Sequence, residues 1–459
     1  HNCMGEEAAR VARYLLDDFD SKEAQLRNNP PRIELARLTV RQYQQSIADL
    51  VALLEEPARP EEGQGLTGEY FNSGRRFDTR RRVLKRLEAV VDHDFGETPP
   101  AEKIKPEEYA GRFSGGIVVP ETGDYELIVR AQNGFKLYIN DQREPLIDAW
   151  VRSGEEQDVR ESITLLGGHT YAVRLEFFKS KQDKTAAITL KWKRPHHVDE
   201  VIPTRHLVPG RFPLVYVTGA AFPPDDRSLG YERATSISKA WDEATTAGAL
   251  EVAALVASRV DAGKPDARDK ARDLCRRFAE RALRRPLSDA DREFFVDRHF
   301  AGDVKLDLSI KMSVLLALKS PRFLYRELSP ATDAKSVDPY ETAERLSLAL
   351  WDALPDDELL EAAWSWRLNK ADDARREAAR MFDHPRTRAK LREFFHHWLE
   401  YDRTHDVAKD PELFPEFSPQ VMADLRDSLD LFVEDTVFDP QSDFRELLTA
   451  ERLLLNGRL

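Results

Sequence analysis

The sequence predicts an α+β multidomain chain in which an antiparallel β-sandwich is inserted between all-α helical modules. Apolar residues recur at helical spacing before residue 60 and after residue 210, but alternate with polar residues in between. A chain of 459 residues is too long for one ordinary hydrophobic core. Its hydrophobic fraction of 41% is sufficient for several well-filled cores.

The N-terminal region is predicted to be helical from residue 4 to residue 58. A repeat at helix spacing begins at Ala8. A second helix begins at Thr39, which has the capping-box spacing to Gln42. Pro57 and Pro60 then interrupt the pattern and mark the first boundary.

Strict alternation predicts the sandwich. Such alternation requires one buried face and one wet face, which two packed antiparallel sheets provide. Turn signals such as Gly167-Gly168 separate the alternating runs. The runs begin at Tyr125, Phe135, Tyr171 and Ile188.

The helical period returns after Gly210. Asp338-Pro339 and Ser418-Pro419 each pair an N-cap residue with proline at the first helical position. Short loops and several apolar stripes predict a helical bundle for this part.

Charge and composition argue against several classes of function. The chain has 69 basic and 82 acidic residues, a net charge of −13, which disfavours nucleic acid and an anionic membrane surface as partners. No apolar run reaches about 18 residues, so no transmembrane segment is predicted. Cys3 and Cys275 are too few for a disulfide framework or a thiolate zinc site.

Motifs of familiar enzymes are missing from the sequence. It contains no Gly-x-Ser-x-Gly elbow, no phosphate-binding loop, no His-Glu-x-x-His and no dinucleotide fingerprint. We therefore predict no catalytic residue, and the sequence leaves enzymatic activity open.

The alternating region resembles the protective-antigen-type (PA14-like) β-sandwich, a jelly-roll-like module found in adhesins, glycosidases and toxins. Five segments carry this resemblance in order: 65–71, 112–115, 123–127, 137–141 and 165–171.

This resemblance implies a carbohydrate or surface glycan as the partner. In sugar-binding members, two consecutive aspartates before the strand matching 135–140 hold a calcium ion, but here Gln132-Asn133 occupy those positions. Neutral amides should bind calcium much more weakly or not at all. A metal-free surface and simple turn capping are the alternatives for the candidate residues. The candidate ligand-binding residues are Asn133, Asn140, Asp141, Asp148 and Trp150.

The flanking helices resemble a large bacterial family whose helical modules are catalogued only as domains of unknown function, of the DUF1587, DUF1595, DUF1592 and DUF1588 types. The resemblance covers nearly the whole chain. Its main segments are 37–43, 222–233, 285–288, 320–325, 394–402 and 413–417 with 455–456.

Members of that family usually carry an upstream c-type cytochrome domain and an export signal. The resemblance implies a periplasmic, cell-surface or secreted location, a haem c outside this chain, and a redox partner. No cofactor is predicted within the chain, because it contains no Cys-x-x-Cys-His haem attachment. Both ends look cut, at His1 and at Leu459, so the missing export signal does not argue for the cytoplasm.

These patterns and resemblances divide the chain into seven predicted units. The predicted units are 1–16 (the end of an upstream cytochrome-c-like domain), 17–60 (helical), 65–209 (sandwich), 210–262 (linker and helix), 263–330 (helical), 335–405 (helical) and 406–459 (the start of a further helical module).

The histidine-rich segment 396–400 resembles a metal site. His396 and Glu400 can share one helical face, and His405 follows nearby. A buried stripe is expected at Leu391, Phe394, Phe395, Trp398 and Leu399, which leaves the histidines at its borders. Because no third ligand is evident, a metal site remains undecided.

Two other polar segments have competing interpretations. His196-His197 is predicted to lie in a surface loop. The segment 225–233 either orders a cation or ligand or fastens the linker to a neighbouring domain, and we favour fastening.

The leading hypothesis is that a helical scaffold displays a carbohydrate-recognising sandwich as part of an exported, cytochrome-linked protein. One alternative is a haem-dependent oxidoreductase acting on polysaccharide, with its haem domain outside this fragment. Another is a structural protein of envelope assembly.

Overall fold

A computed structural model describes residues 6–15, 17, 21, 36–151, 157–326, 338–401, 409–410, 412–441 and 443–459. The β-strands are β1 (Ala36–Arg37), β2 (Arg59–Pro60), β3 (Leu66–Phe71), β4 (Arg82–Glu88), β5 (Asp92–Gly96), β6 (Tyr109–Val118), β7 (Gly123–Ala131), β8 (Phe135–Ile139), β9 (Ile147–Ala149), β10 (Gln157–Leu165), β11 (Thr170–Lys179), β12 (Ala186–Lys193), β13 (Glu200–Val201), β14 (Leu207–Val208), β15 (Gly210–Arg211) and β16 (Tyr325–Arg326).

The helices lie mainly after the strands. The α-helices are α1 (Glu6–Leu15), α2 (Val40–Ala52), α3 (Lys239–Ser258), α4 (Ala267–Ala282), α5 (Asp289–Phe295), α6 (Leu306–Leu318), α7 (Pro321–Leu324), α8 (Pro339–Leu350), α9 (Asp357–Trp364), α10 (Ala371–Phe382), α11 (Pro385–Trp398), α12 (Pro419–Phe438) and α13 (Glu446–Thr449). None of the described helices is both long enough and apolar enough to cross a membrane.

The predicted capping box at the start of α2 is confirmed. The Gln42 amide donates to the Thr39 hydroxyl and the Thr39 amide donates to the Gln42 side chain, each at 3.1 Å. The prediction of helix throughout residues 4–58 is nevertheless wrong, because Ala36–Arg37 forms a strand that pairs antiparallel with Tyr325–Arg326. That partner is remote in sequence, so local periodicity could not show it.

The antiparallel sandwich is confirmed. Its larger sheet has the order β4-β3-β6-β11-β8-β9, with β14 also paired to β6, and the facing sheet has the order β10-β7-β12-β13, with β5 paired to β12. Along β8, Phe135, Leu137 and Ile139 belong to the core between the sheets. Lys136 alternates with them and points to the outer face of the larger sheet.

The side chains of the segment 214–217 alternate between the core of the sandwich and the core of the helices. Val215 and Val217 contribute to the core of the sandwich. Leu214 and Tyr216 pack instead against the main helical core. The extended connector is therefore held on both sides along its length.

Within its described residues, the helical part has one main core and two smaller ones. The main core is built by α2, α3, α4 and α6 with their connections, and includes Tyr43, Val252 and Phe278. A second core lies among α8, α9 and α10. A third joins α11 to α12.

Polar contacts on two flanks couple the sandwich to these helices. The Gln45 side chain of α2 donates to the Gly167 carbonyl at 3.1 Å. On the opposite flank, Arg194 Nη2 lies 2.9 Å from Asp427 Oδ1 of α12. His197 also binds Asp427, with 3.2 Å between Nε2 and Oδ1, and is 6% exposed. The prediction of a surface loop is therefore wrong at His197, because α12 covers it.

Candidate ligand-binding surface on the outer sheet

The outer face of the larger sheet carries two parallel rows of side chains. Cross-strand pairing aligns the first row, here called the charged row, across β3, β6, β11, β8 and β9. The second row, here called the aromatic row, is displaced from the charged row by two residues along each strand. It includes an alanine and a glycine besides its aromatic residues. The charged row is Glu69, Arg112, Glu176, Lys136 and Asp148, and the aromatic row is Phe71, Ala110, Phe178, Gly134 and Trp150.

The charged row alternates in sign from strand to strand. Arg112 Nε lies 3.0 Å from Glu176 Oε1, and Lys136 Nζ lies 2.8 Å from Asp148 Oδ2. Opposite charges directly across neighbouring strands stabilise the pairing. The hydrogen bond from Lys136 lowers the pKa of Asp148 below its ordinary value. The Asp148 carboxylate is thus ionised and, at 48% exposed, open to solvent.

The aromatic row ends in a partly exposed tryptophan. The ring of Trp150 lies 4.8 Å from that of Phe178 and 6.1 Å from that of Phe77 (centroid to centroid). Arg75 lies 4.6 Å above the Phe178 ring. Phe71 and Phe178 are buried, whereas Trp150 and Phe77 remain partly open. The surface therefore offers an aromatic ring directly beside charged hydrogen-bonding groups.

Gly134 creates the space for this aromatic packing. A Cβ atom there would lie 2.4 Å from the Trp150 carbonyl oxygen and 2.5 Å from Cε1 of Phe178. Both distances are shorter than nonbonded atoms tolerate, so the close approach of Trp150 and Phe178 requires glycine.

Asn133 lies at the same end of β8 as Trp150, but it is only 5% exposed. Its side-chain amide donates to the Thr185 carbonyl at 3.3 Å. Its Oδ1 atom is buried without a hydrogen-bond donor among the described residues. Together with Gln132 it provides no carboxylate, so the donor set does not fit a calcium ion. Weak or absent calcium binding stays a prediction.

Asn140 and Asp141 lie at the opposite end of β8. Asn140 has a left-handed backbone, with φ 64°, and its side chain bonds both the amide (2.8 Å) and the carbonyl (2.7 Å) of Val215. Asp141 accepts the Arg143 amide at 2.8 Å, which is turn capping. These two residues border a separate cavity of about 420 Å³ lined by arginines and glutamates, among them Arg174 and Glu56.

The structure therefore divides the predicted ligand-binding residues into two groups. Asn133 and Asn140 are seven positions apart along an extended strand, which separates them by about 23 Å. Asp148 and Trp150 join Asn133 at one end, and Asp141 joins Asn140 at the other. One small ligand cannot contact both groups.

Several residues of the surface were missed from the sequence, among them Lys136, Glu176, Phe178 and Phe77. The outward positions of β11 could have indicated Glu176 and Phe178, because they alternate with core residues. No local signal indicated Phe77, which reaches the surface from the connection between β3 and β4.

The histidine-rich segment is arranged differently from the prediction. His396 is 3% exposed and its Nε2 lies 2.7 Å from Asp430 Oδ1, while Arg426 approaches its Nδ1 at 3.0 Å. The expected buried stripe is right at Phe395 but wrong at three positions. Those positions are Phe394, Trp398 and Leu399, which are 37%, 44% and 38% exposed.

The physical reason is the direction in which α11 faces α12. Asp430 and Arg426 on α12 supply buried polar partners for His396, so the helix turns this histidine inward. His405, the further predicted donor, lies outside the described residues.

The segment 225–233 does fasten the linker. Asp225 accepts a hydrogen bond from Arg37 Nη1 and another from the Val40 amide, each at 2.7 Å. Glu232 binds a different residue of the same region, because its Oε2 accepts a hydrogen bond from Nη2 of Arg41 on α2 at 3.1 Å.

Comparison with known families identifies two regions. Residues 63–205 match the family model of the PA14 domain. Residues 337–459 match that of a protein of unknown function, DUF1592. Both resemblances are thereby confirmed for these regions, whereas the cytochrome link and the export signal stay predictions.

Known proteins resemble about a third of this chain. The anti-sigma-I factor RsgI3 of Acetivibrio thermocellus is 29% identical over 152 residues, which is 33% of this chain and 22% of that protein. A solved anti-sigma factor domain-containing protein from Clostridium clariflavum is 27% identical over 35% of this chain and 51% of its own, with a TM-score of 0.29. The PA14 sugar-binding domain from an RTX adhesin is 14% identical over 32% of this chain and 100% of its own, with a TM-score of 0.28. The chain thus spans about a fifth of the curated relative and about half of the solved anti-sigma factor protein.

Proposed function

We propose that the PA14 domain recognises a carbohydrate or surface glycan at its outer face, at the end of β8 that carries Trp150. The observation that carries the proposal is the partly exposed Trp150 ring next to the ionised Asp148 and to Lys136. An aromatic ring offers the apolar C–H face of a sugar a large contact area at low entropic cost. Charged neighbours bind its hydroxyl groups through charge-assisted hydrogen bonds.

The position of the surface supports the same proposal. In the family that the sandwich resembles, the calcium-binding residues of sugar-binding members correspond to Gln132-Asn133, which lie at this end of β8. The surface thus lies at the end of the fold where such a ligand is expected. Because the amides of Gln132 and Asn133 replace the carboxylates, we propose recognition that does not depend on calcium.

Asn140 and Asp141 are not part of the proposed contact. Their side chains serve Val215 and the turn at Arg143. We assign Asn140 and Asp141 to fastening the sandwich. The proposed ligand contacts are Asp148 and Trp150 from the predicted set, together with Lys136 and Phe77.

The wider context belongs to the proposal as well. A helical scaffold displays the domain in the periplasm or at the cell surface, within a protein whose haem domain and redox partner lie outside this chain. Protease treatment of intact cells and of cells stripped of their outer membrane tests the location. If the chain is protected from the protease in both preparations, the proposed periplasmic or surface location is contradicted.

A glycan array probed with the whole chain, with calcium and then with EDTA, tests recognition. We expect binding to at least one glycan class, unchanged by EDTA and reduced at least about tenfold by Trp150→Ala, because stacking on one ring contributes more than 1 kcal/mol. Trp364→Ala is the matched control, since Trp364 is 63% exposed on the remote helix α9. If the unaltered chain binds no glycan across broad glycan classes, the proposal is refuted and a structural role in assembly is favoured.

A further inference from the structure

A cluster of charged side chains, here called the junction cluster, lies where three distant segments of the chain meet. Arg41 comes from α2, Glu232 from the connector before α3, and Glu393 and His397 from α11. They line a cavity of about 150 Å³, together with Asp352 and Lys390. The proposed carbohydrate surface uses none of these residues.

Three members of the junction cluster form a set of metal-ligand donors. Glu393 and His397 are one helical turn apart, and Glu393 Oε1 lies 2.7 Å from His397 Nε2. Glu232 completes the set, since one donor atom from each of the three residues lies within 4.8 Å of the other two. An imidazole nitrogen with two carboxylate oxygens is a donor set that first-row divalent metal ions accept.

Both carboxylates are largely shielded from solvent. The side chains of Glu232 and Glu393 are only 18% and 19% exposed, so solvent screens their charges weakly.

Two arginines compensate these carboxylates, and they differ in exposure. Arg41 is 13% exposed and its Nη2 lies 3.1 Å from Glu232 Oε2 and 2.9 Å from Glu393 Oε1. Arg227 is 50% exposed and its Nη2 lies 2.7 Å from Glu232 Oε1. Arg41 is locked in place, whereas Arg227 can turn into solvent without leaving a buried charge.

The charge balance shows what the departure of Arg227 would leave. Asp352, the third carboxylate of the junction cluster, is bound by Lys390 at 2.5 Å. With Arg227 turned away and His397 neutral, as a metal ligand must be, the three carboxylates face the cations Arg41 and Lys390. This leaves one net negative charge and frees Glu232 Oε1. The surrounding cavity gives an incoming ion and its water molecules room.

We propose that Glu232, Glu393 and His397 bind a divalent first-row metal ion, such as Zn²⁺, in competition with the guanidinium of Arg227. The ion takes the place of Arg227 at Glu232 Oε1, while Arg41 keeps its hold on the carboxylates. Metal binding then links the connector before α3 to α11.

Titration of the metal-free whole chain with Zn²⁺ by calorimetry tests this proposal, with Co²⁺ absorption as a second readout. We expect one ion per chain. His397→Gln and Glu232→Gln should each weaken binding by about tenfold or more, because the loss even of an orienting contact costs that much. Arg227→Ala should strengthen it, because the competing cation is gone.

The direction of the Arg227→Ala effect separates a metal site from a purely structural ion-pair cluster. His196→Gln, an exposed histidine away from the cavity, is the control and should bind like the unaltered chain. Absence of stoichiometric Zn²⁺ or Co²⁺ binding by both the unaltered chain and Arg227→Ala overturns the proposal. Equal binding by Glu232→Gln overturns it too, and that variant together with Arg227→Ala carries the test if His397→Gln does not fold.

Discussion

Arg37 and Asp225 form a buried ion pair that fixes the connector after the sandwich to the start of α2. Arg37 Nη1 lies 2.7 Å from Asp225 Oδ1, and the two side chains are 4% and 2% exposed. The other carboxylate oxygen accepts the amide of Val40, the first residue of α2. A negative charge at a helix N-terminus also interacts favourably with the helix dipole.

Asp225→Ala is expected to lower the free energy of unfolding by about 3 to 5 kcal/mol, because it leaves the Arg37 charge buried without its partner. Chemical denaturation of the whole chain measures the change. Asp226→Ala is the control: its carboxylate is 34% exposed and binds Arg233, so a much smaller loss is expected. Equal losses in the two variants would contradict the importance of the buried pair.

Gly134→Ala is expected to destabilise the sandwich by about 1 to 3 kcal/mol, because the new methyl group displaces Trp150 or Phe178. Thermal unfolding and the fluorescence of Trp150 report the two consequences. Gly457→Ala serves as the control, since a Cβ atom at Gly457 meets nothing within 4 Å. A Gly134→Ala variant with unaltered stability would show that the aromatic row repacks freely.

Lys136→Gln and Asp148→Asn are expected to change glycan binding far more than stability. Their ion pair is partly exposed, 27% and 48%, and such pairs contribute about 1 kcal/mol or less to folding. Calorimetric titration with a glycan identified on the array measures binding, and denaturation measures stability. The exposed pair of Lys311 and Asp307, on α6, provides the control variant Lys311→Gln. If Lys136→Gln lowers stability but leaves the affinity for glycan intact, the charged row is structural.

His384 is expected to make the chain less stable in mild acid. Burial, and then the charge of Arg386, lowers the pKa of this imidazole to about 4. Between the ordinary value of about 6.5 and pH 4, the unfolded chain takes up a proton that the folded chain refuses. The contribution to stability is therefore complete above pH 6.5 and falls by about 1.4 kcal/mol per pH unit below it.

His384→Asn should remove that slope and keep the helix cap. His384 Nδ1 accepts the Arg386 amide at the start of α11, and asparagine can do the same. Denaturation at a series of pH values from 7 to 4 compares the variant with the unaltered chain. An identical pH dependence in both would assign the acid sensitivity to other groups.

The sequence could predict the sandwich because its signal is local. Alternation along 135–139 or 171–177 shows which side chains face the core, and the structure confirms it. The same alternation could not show the register between strands. The alignment of Glu176 with Lys136 and Arg112, which creates the charged row, depends on that register.

The candidate ligand residues show a different limit. Asn133 and Asn140 flank β8, and an extended strand keeps its two ends far apart. The junction cluster could not be predicted from the sequence for another reason. Glu232 and Glu393 are remote in sequence, and only the packing of the connector against α2 and α11 brings them together.

The alternating segment 214–217 has a mechanical consequence. A pull on a ligand held at Trp150 would reach Asn140 along the β8–β9 hairpin, and the Asn140 side chain binds both the amide and the carbonyl of Val215. Leu214 and Tyr216, the neighbours of Val215, are anchored in the main helical core. We therefore expect such a pull to be shared between this segment and the contacts of the sandwich with α2 and α12.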